Sequence, residues 1–352
     1  MTNKQMSAKE RVLTAFSHHE PDRLPRWIGA SPEFWDKAKA TLNLDDEGLR
    51  LRFKDDFRRV FAVYDGPDAD LSGDNTWESP FGVQRRGLGY GQPTAHPLGG
   101  ADIKTVEAFP WPDPNRMSVS TVREQAAPFA DEYAILGGDW SPFWHDVIDL
   151  VGHEELYYMM YDSPEVLQAV FERVTDYYVG VSTNMFEEAS DLIDIFFIGN
   201  DLGAQTGPLL GVEHFRQFLA PSFRRLIDLG HSYDLKVMLH CCGGYRPLIP
   251  ELIDLGIDGL HALQPDAAGM EPESLKREFG KDVLLNGAID SHHILIDGES
   301  PAWVKEQCKQ VVLTMKPGGG YVAGASHDTI LEETPVENVL AMLEAVDEYG
   351  VY

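Results

Sequence analysis

The chain has 352 residues, 43% hydrophobic and 11% aromatic, a composition that can bury a large interior and argues against extensive disorder. Its 57 acidic against 29 basic residues give a formal charge of −28, a field that repels polyanions, so nucleic acid and anionic membrane surfaces are excluded as partners. Three cysteines cannot frame a disulfide scaffold of this length, and neither a signal-peptide pattern nor a run of roughly 18 apolar residues occurs; the cytoplasm is the expected location, and metal, redox or packing roles stay open for the thiols.

Residues Ser7 to His18 place Val12, Leu13 and Phe16 at helical spacing and stop before Pro21-Asp22-Arg23, which predicts a first helix. Leu24 to Gly29 (LPRWIG) alternates ahead of a turn and reads as the first strand. Residues 45 to 130 are rich in Gly, Pro and Asp, include Trp77, Arg85 and Arg86, and read as a long, partly irregular insertion with a second strand near Val60 to Val63. From residue 133 the pattern is regular. Apolar runs at Tyr133 to Leu136, Leu192 to Ile198, Lys236 to Leu239, Ile257 to Leu263, Val283 to Leu285 and Tyr321 to Ala323 read as strands. They alternate with helical stretches at Ser163 to Ala189, Gly211 to Tyr233, Tyr245 to Leu255, Glu271 to Phe279, Pro301 to Met315 and Pro335 to Tyr349, which implies a parallel sheet.

Chemically capable residues follow nearly every strand: Gly138-Asp139-Trp140, Asn200-Asp201, His240 with Cys242, Gln264, Asp290, and Ser326-His327-Asp328. An open sheet would concentrate them at one switch point, whereas a barrel uses all its strand ends. No phosphate-binding glycine fingerprint or Walker motif is present, and Gly318-Gly319-Gly320 precedes a strand and reads as a turn. The expected fold is therefore α/β, a (β/α)8 TIM barrel over residues 1–352 as a single domain, with an N-terminal helix and the 45–130 insertion inside it.

Side chains alternate along a strand, so His240 and Cys242 share a face and Cys241 points away into packing. An imidazole and a thiolate suit Zn²⁺, whose catalytic sites take three protein ligands and keep one position open. Asp201 can orient a ligand histidine or bind substrate, with helix capping as the alternative. Trp27, Trp35, Trp140, Phe143 and Trp144 cluster near two strand ends and are candidates to wall a pocket, and Asp139 and Gln264 follow strands of their own as polar candidates. Tyr245 and Arg246 contact an anionic group or begin a helix. Cys308 reads as buried packing, and neighbouring His292 and His293 on a loop do not read as a converging pair.

Several segments together resemble the uroporphyrinogen decarboxylase superfamily, including its corrinoid-dependent methyltransferase branch. They are KERVLTAFSHHEPDRLP near the start, GNDLGAQTG at 199–207, KVMLHCCGGYRPLIPELIDLGIDGLHALQP at 236–265, LLNGAID at 284–290 and GGGYVAGASHDTILEETPVENVLAM at 318–342. The resemblance covers nearly the whole chain and implies the same barrel. Decarboxylases of the family carry an arginine-rich segment after the first strand; here Trp27 to Glu33 holds none, and only Arg23 and Arg26 lie nearby. A polycarboxylate pocket needs compensating cations, which argues against that activity. The methyltransferase branch pairs His-x-Cys with a later cysteine near the last strand. That cysteine is absent here, and the resemblance makes His327 the substitute ligand, or a general acid or base, since decarboxylase relatives also place a histidine there. Asp201 or a water could complete the shell.

The implied activity is zinc-dependent methyl transfer, of O-demethylase or thiol-methyltransferase type, between a small substrate (a methoxylated aromatic or a thiol) and the cobalamin cobalt of a separate corrinoid protein. His240, His327 and Asp201 are the implied catalytic residues, His240, Cys242 and His327 the implied metal ligands, and Trp27, Asp139, Trp140, Trp144, Arg246 and Gln264 the implied substrate contacts. A uroporphyrinogen-type decarboxylase, a metal-free folate-type methyltransferase and a non-enzymatic binding barrel are the competing readings; the sequence leaves a homodimer open.

Overall fold

A computed structural model describes residues 6–65, 76–87 and 91–352. The first helix, Ala8–Phe16, starts where Ser7 accepts from Glu10 N–H and the Glu10 side chain accepts from Ser7 N–H, a reciprocal cap that the S-x-x-E pattern encodes. Its buried Val12, Ala15 and Phe16 pack against the inward residues of the central sheet.

That sheet has seven parallel strands: β1 (Phe57–Arg59), β2 (Ala134–Gly137), β3 (Ile195–Gly199), β4 (Lys236–His240), β5 (Gly259–Leu263), β6 (Leu284–Ile289) and β7 (Tyr321–Ala325). They are hydrogen-bonded in chain order, the arrangement of a TIM-like barrel. Alternation separates two cores. Phe57, Leu136, Ile195, Phe197, Met238, Leu284 and Val322 face inward with Trp27, whereas Ile135, Phe196, Ile198, Val237, Leu239, Leu260 and Leu285 face the surrounding helices. Helices Pro164–Ala189, Pro272–Phe279, Pro301–Met315 and Val336–Tyr349 fall within a residue of their expected bounds. No helix among the described residues is long and apolar enough to cross a membrane.

Four local expectations need correction. Leu24 to Gly29 is not a regular strand: it touches the sheet through isolated bridges, one of them Arg26 to Ala323. Pro25 has no N–H to donate, although its carbonyl accepts from Ala323 while Trp27 N–H donates to Ala323. On the other side Asp56 N–H donates to the Arg26 carbonyl, so this segment links both edges of the sheet. The second strand lies at Phe57–Arg59, whereas Val63–Tyr64 pairs antiparallel with Met117–Ser118 outside the sheet. The 45–130 stretch is more regular than expected, with helices at Asp46–Phe53, Ile103–Ala108 and Val122–Ala126 and a three-stranded sheet of Thr76–Glu78, Gln84–Arg86 and Gln92–Pro93; residues 66–75 and 88–90 of it lie outside the described residues. The helix expected over Gly211 to Tyr233 carries a π-helical turn at Phe215–Leu219, where Pro221 removes an amide from the ladder.

Asp56, at the foot of β1, ties the N-terminal segment to the sheet. It is buried, pairs with Arg11 at 2.7 Å and Arg23 at 2.8 Å, and accepts from Arg26 N–H at 2.8 Å.

Candidate active site

His240 ends β4 pointing inward, and the chain then turns through Cys241-Cys242-Gly243. Gly243 adopts φ +78, and a Cβ there would lie 2.4 Å from the Gly203 carbonyl carbon, so the two glycines let the loops after β3 and β4 cross in contact. The crossing brings Asp201 over the end of β4, where its Oδ1 accepts from Cys242 N–H at 2.8 Å. Cys242 Sγ is 3.4 Å from His240 Nε2, and Asp201 Oδ1 is 3.5 Å from the same nitrogen. One ligand atom from each of Asp201, His240 and Cys242 lies within 4.8 Å of the others. Cys241 is buried on the helix side, its sulfur accepting from Leu202 N–H at 3.2 Å.

The electrostatics favour a cation here. Burial lowers the His240 imidazole pKa against the opposing pull of Asp328 and Asp201, which leaves the ring neutral and able to donate a lone pair. Burial, reinforced by Asp201 and Asp328, pushes the Cys242 thiol up, so it holds its proton at neutral pH until a positive charge offsets those carboxylates. An imidazole nitrogen, a sulfur and a carboxylate oxygen converging at one open strand end form a donor set that fits zinc.

The other expected residues divide. Trp140 leans on His240 at 5.3 Å between ring centroids, in space left by Gly199, where a Cβ would meet the indole at 2.0 Å. Trp27 packs at 4.4 Å on His261 inside the sheet and lines a cavity of about 730 Å³ with Trp35, Phe57 and Arg59. Asp139 lines a second cavity of about 260 Å³ with Arg59, Phe61 and Trp140, and burial raises its carboxyl to about 6. Gln264 braces the loop: its Oε1 accepts from Gly243 N–H at 2.9 Å and its amide donates to Gln205. Two expected contacts are corrected. Trp144 sits on helix Phe143–Val151 facing outward, fully buried and stacked on Phe171, so it walls no cavity. Arg246 is held by Glu278, Ser274 and the Gly269 carbonyl, a loop clamp rather than an anion contact. His327 Nδ1 lies 3.2 Å from Thr329 N within its own turn, and His327 is not among the residues whose ligand atoms converge. Its neighbour Asp328 is: with His240 and His261 it forms a second converging set and lines both cavities.

His261, His145 and Arg59 are site residues that sequence reasoning passed over, and Asp328, named there only as part of the Ser326-His327-Asp328 turn, was given no role. A histidine in the otherwise apolar run of β5 was the available signal for His261. His145 Nε2 accepts from Asp201 N–H at 3.1 Å and so helps hold that carboxylate in place. Arg59 ends β1 over the rings of Trp140 and Phe197 at 5.0 and 5.1 Å, in a strand too short and too basic to show periodicity.

Behind Trp140, Asp146 accepts from the Tyr178 hydroxyl, and burial, reinforced by Asp139 and opposed by Tyr178 and Arg85, raises its carboxyl from 3.8 to about 7. A folded-state pKa above the unfolded one contributes stability that is complete below pH about 4 and is lost as pH rises through about 7. Asp146→Asn should therefore flatten the loss of stability between pH 5 and 8, by on the order of 1 kcal/mol after allowance for solvent at this half-buried group. Denaturant unfolding at both pH values checks it, and parallel profiles for the two proteins would refute it.

The uroporphyrinogen decarboxylase (URO-D) family profile matches residues 95–349, well over half of the chain. The chain belongs to the uroporphyrinogen decarboxylase family. Among curated members of that family's neighbourhood, methylcobamide:CoM methyltransferase MtaA of Methanosarcina barkeri is 24% identical over 235 residues, 66% of this chain and 62% of that protein. Methylcobamide:CoM methyltransferase MtbA of Methanosarcina acetivorans is 22% identical over 225 residues, 63% of this chain and 60% of that protein. Uroporphyrinogen decarboxylase of Coxiella burnetii is 23% identical over 199 residues, 55% of this chain and 50% of that protein. This family member thus spans about 50–62% of the length of these curated relatives. A solved methyltransferase from Methanosarcina mazei superposes with a TM-score of 0.65 at 18% identity, covering 98% of this chain and 99% of that one, which establishes the shared fold.

Proposed function

We propose that this family member catalyses zinc-dependent methyl transfer between a small substrate and a corrinoid protein. The observation that carries the reading is the convergence of Asp201, His240 and Cys242 at the end of β4; Trp140, which leans on His240, and Asp328, which converges with it, line the smaller cavity. The methylcobamide-dependent relatives support the corrinoid partner.

His240 Nε2, Cys242 Sγ and Asp201 would hold the metal, with Asp328, which converges with His240 and His261, the candidate to complete the shell. Bound zinc supplies Lewis-acid polarisation of a methyl ether oxygen or stabilisation of a thiolate at neutral pH. Asp201 fixes the approach of the Cys242 loop through its backbone amide, while His145 holds the Asp201 backbone. Trp27 lines the larger cavity, Trp140 the smaller and Phe61 both, and Arg59 sets a positive charge on their shared lining. Asp139, whose carboxyl is raised to about 6 and which lines the smaller cavity with Trp140, would hold or move a proton there. Trp140 and Phe61 in the lining of the smaller cavity favour a methoxylated aromatic over a small aliphatic thiol as the methyl source.

The decarboxylase reading takes second place on charge. The larger cavity is lined by four cations (Lys39, Arg50, Arg58, Arg59) against five carboxylates (Asp36, Asp46, Glu47, Asp55, Asp328), a surface that does not favour a polycarboxylate. The decisive assay mixes the purified protein with a corrinoid protein in the cobalt(I) state and methoxylated aromatics, and in the reverse direction with methylated cobalt and thiols. A change to the methyl-cobalt spectrum, or its decay with a thiol, together with retained zinc, is expected. Absence of zinc from the purified protein along with unchanged cobalt spectra would end this reading.

A further inference from the structure

The register of the sheet places three polar side chains abreast on its inward face: His240 on β4 pairs with His261 on β5, which pairs with Asn286 on β6. All three are buried. His240 Nδ1 and His261 Nδ1 are 3.1 Å apart, and two ring nitrogens at that distance share one proton, one of them donating and the other accepting. The opposite nitrogen of His240, Nε2, is the one that faces Cys242 Sγ at 3.4 Å and Asp201 Oδ1 at 3.5 Å. Only a His240 protonated on Nδ1 presents a lone pair to those atoms, and that tautomer requires an acceptor at Nδ1.

The acceptor is held from all sides. Trp27 packs on the His261 ring at 4.4 Å and Phe197 at 5.2 Å, which fixes its plane. A His261 that accepts at Nδ1 carries its own proton on Nε2. That nitrogen is fully buried and lacks a partner among the described residues, as do both amide atoms of Asn286, its neighbour in register. Two adjacent strands, β5 and β6, therefore keep unpaired polar groups inside a layer that apolar side chains fill elsewhere, at the cost that buried polar groups carry.

We propose that His261 is a positioning residue that accepts the Nδ1 proton of His240 and thereby aims the His240 Nε2 lone pair at the metal position beside Cys242 and Asp201. This rests on the zinc reading above. Partners that orient a ligand histidine typically change metal affinity by about 10–100-fold when removed.

The test is zinc affinity, measured by competition with a chromophoric chelator, on the wild type, His261→Leu and His261→Gln. Leucine removes the acceptor, whereas glutamine keeps an oxygen within reach of the same proton. His261→Leu should bind zinc about 10–100-fold more weakly and His261→Gln within about threefold of wild type. Equal affinity of His261→Leu and wild type, or equal loss in both variants, overturns the proposal and leaves the zinc site standing. A wild type that takes up no zinc removes the zinc reading and the proposal with it. Should the leucine variant not fold, nitrogen-15 histidine spectra of the zinc-loaded wild type decide. A scalar coupling across the hydrogen bond from the His240 Nδ1 proton to His261 Nδ1 is expected, and a proton resident on His261 Nδ1 overturns the assignment.

Discussion

Cys242→Ala and His240→Ala proteins should each lose bound zinc, with affinity down by about 100-fold or more, while retaining the fold. Removing a ligand costs more than removing the partner that orients one, which sets the lower bound. Cys242 lies beyond the end of β4, half-buried and outside the apolar clusters, so its truncation removes little packing. The adjacent Cys241→Ala is the informative control: that sulfur is buried among outer-layer side chains, so its loss should lower stability by about 1 kcal/mol and leave zinc in place. Metal analysis after dialysis against a chelator, with circular dichroism on the same samples, reads both effects. Unchanged zinc in the two ligand variants would remove the proposed centre, and the corrinoid chemistry with it.

Asp56→Ala should destabilise the protein by about 3–5 kcal/mol, because it strands buried guanidinium groups rather than deleting an exposed pair. Arg11 is almost fully buried and keeps Asp22 at 2.7 Å and the Met6 carbonyl at 2.8 Å when Asp56 is gone, while Arg23 and the Arg26 amide lose their shared acceptor. The same carboxylate positions Arg26, whose carbonyl and neighbours connect the two edges of the sheet, so the loss should also loosen the N-terminal segment locally. Urea unfolding gives the global figure, and amide exchange at Trp27 and Ala323 gives the local one. A change below about 1 kcal/mol would mean that the three arginines find other partners on relaxation.

Much of the fold is legible in the residues alone. Strands β2 to β7 announce themselves as short apolar runs, and the helices between them carry apolar residues three and four apart, because both signals are periodicities along one segment. β1 does not: its three residues, Phe57, Arg58 and Arg59, send one aromatic inward and two arginines to Glu47 of the helix Asp46–Phe53 and to the cavity lining, so no apolar run exists to be read. Pro25 lies in a segment that alternates like a strand, but pairing there depends on a neighbour that local sequence does not specify.

The site divides in the same way. Alternation continued two residues past β4 was enough to place His240 and Cys242 together and Cys241 apart, because those relations lie within three consecutive residues. Which third group joins them was decided elsewhere: the Gly203–Gly243 crossing brings Asp201 onto the Cys242 amide, and the turn after β7 presents Asp328 while His327 stays within its own turn. His261 stands beside His240 only because β4 and β5 pair in that register, and a shift of one residue would send it to the helix side. Trp144 shows the converse, a residue close in sequence to a strand end that its helix turns outward. By itself, then, the sequence determined the strand-and-helix alternation and the imidazole–thiol pair, since both are encoded within a few consecutive residues. Tertiary structure alone decided the partners of that pair, since distances between segments far apart in the chain depend on strand register and loop crossing, which no local pattern encodes.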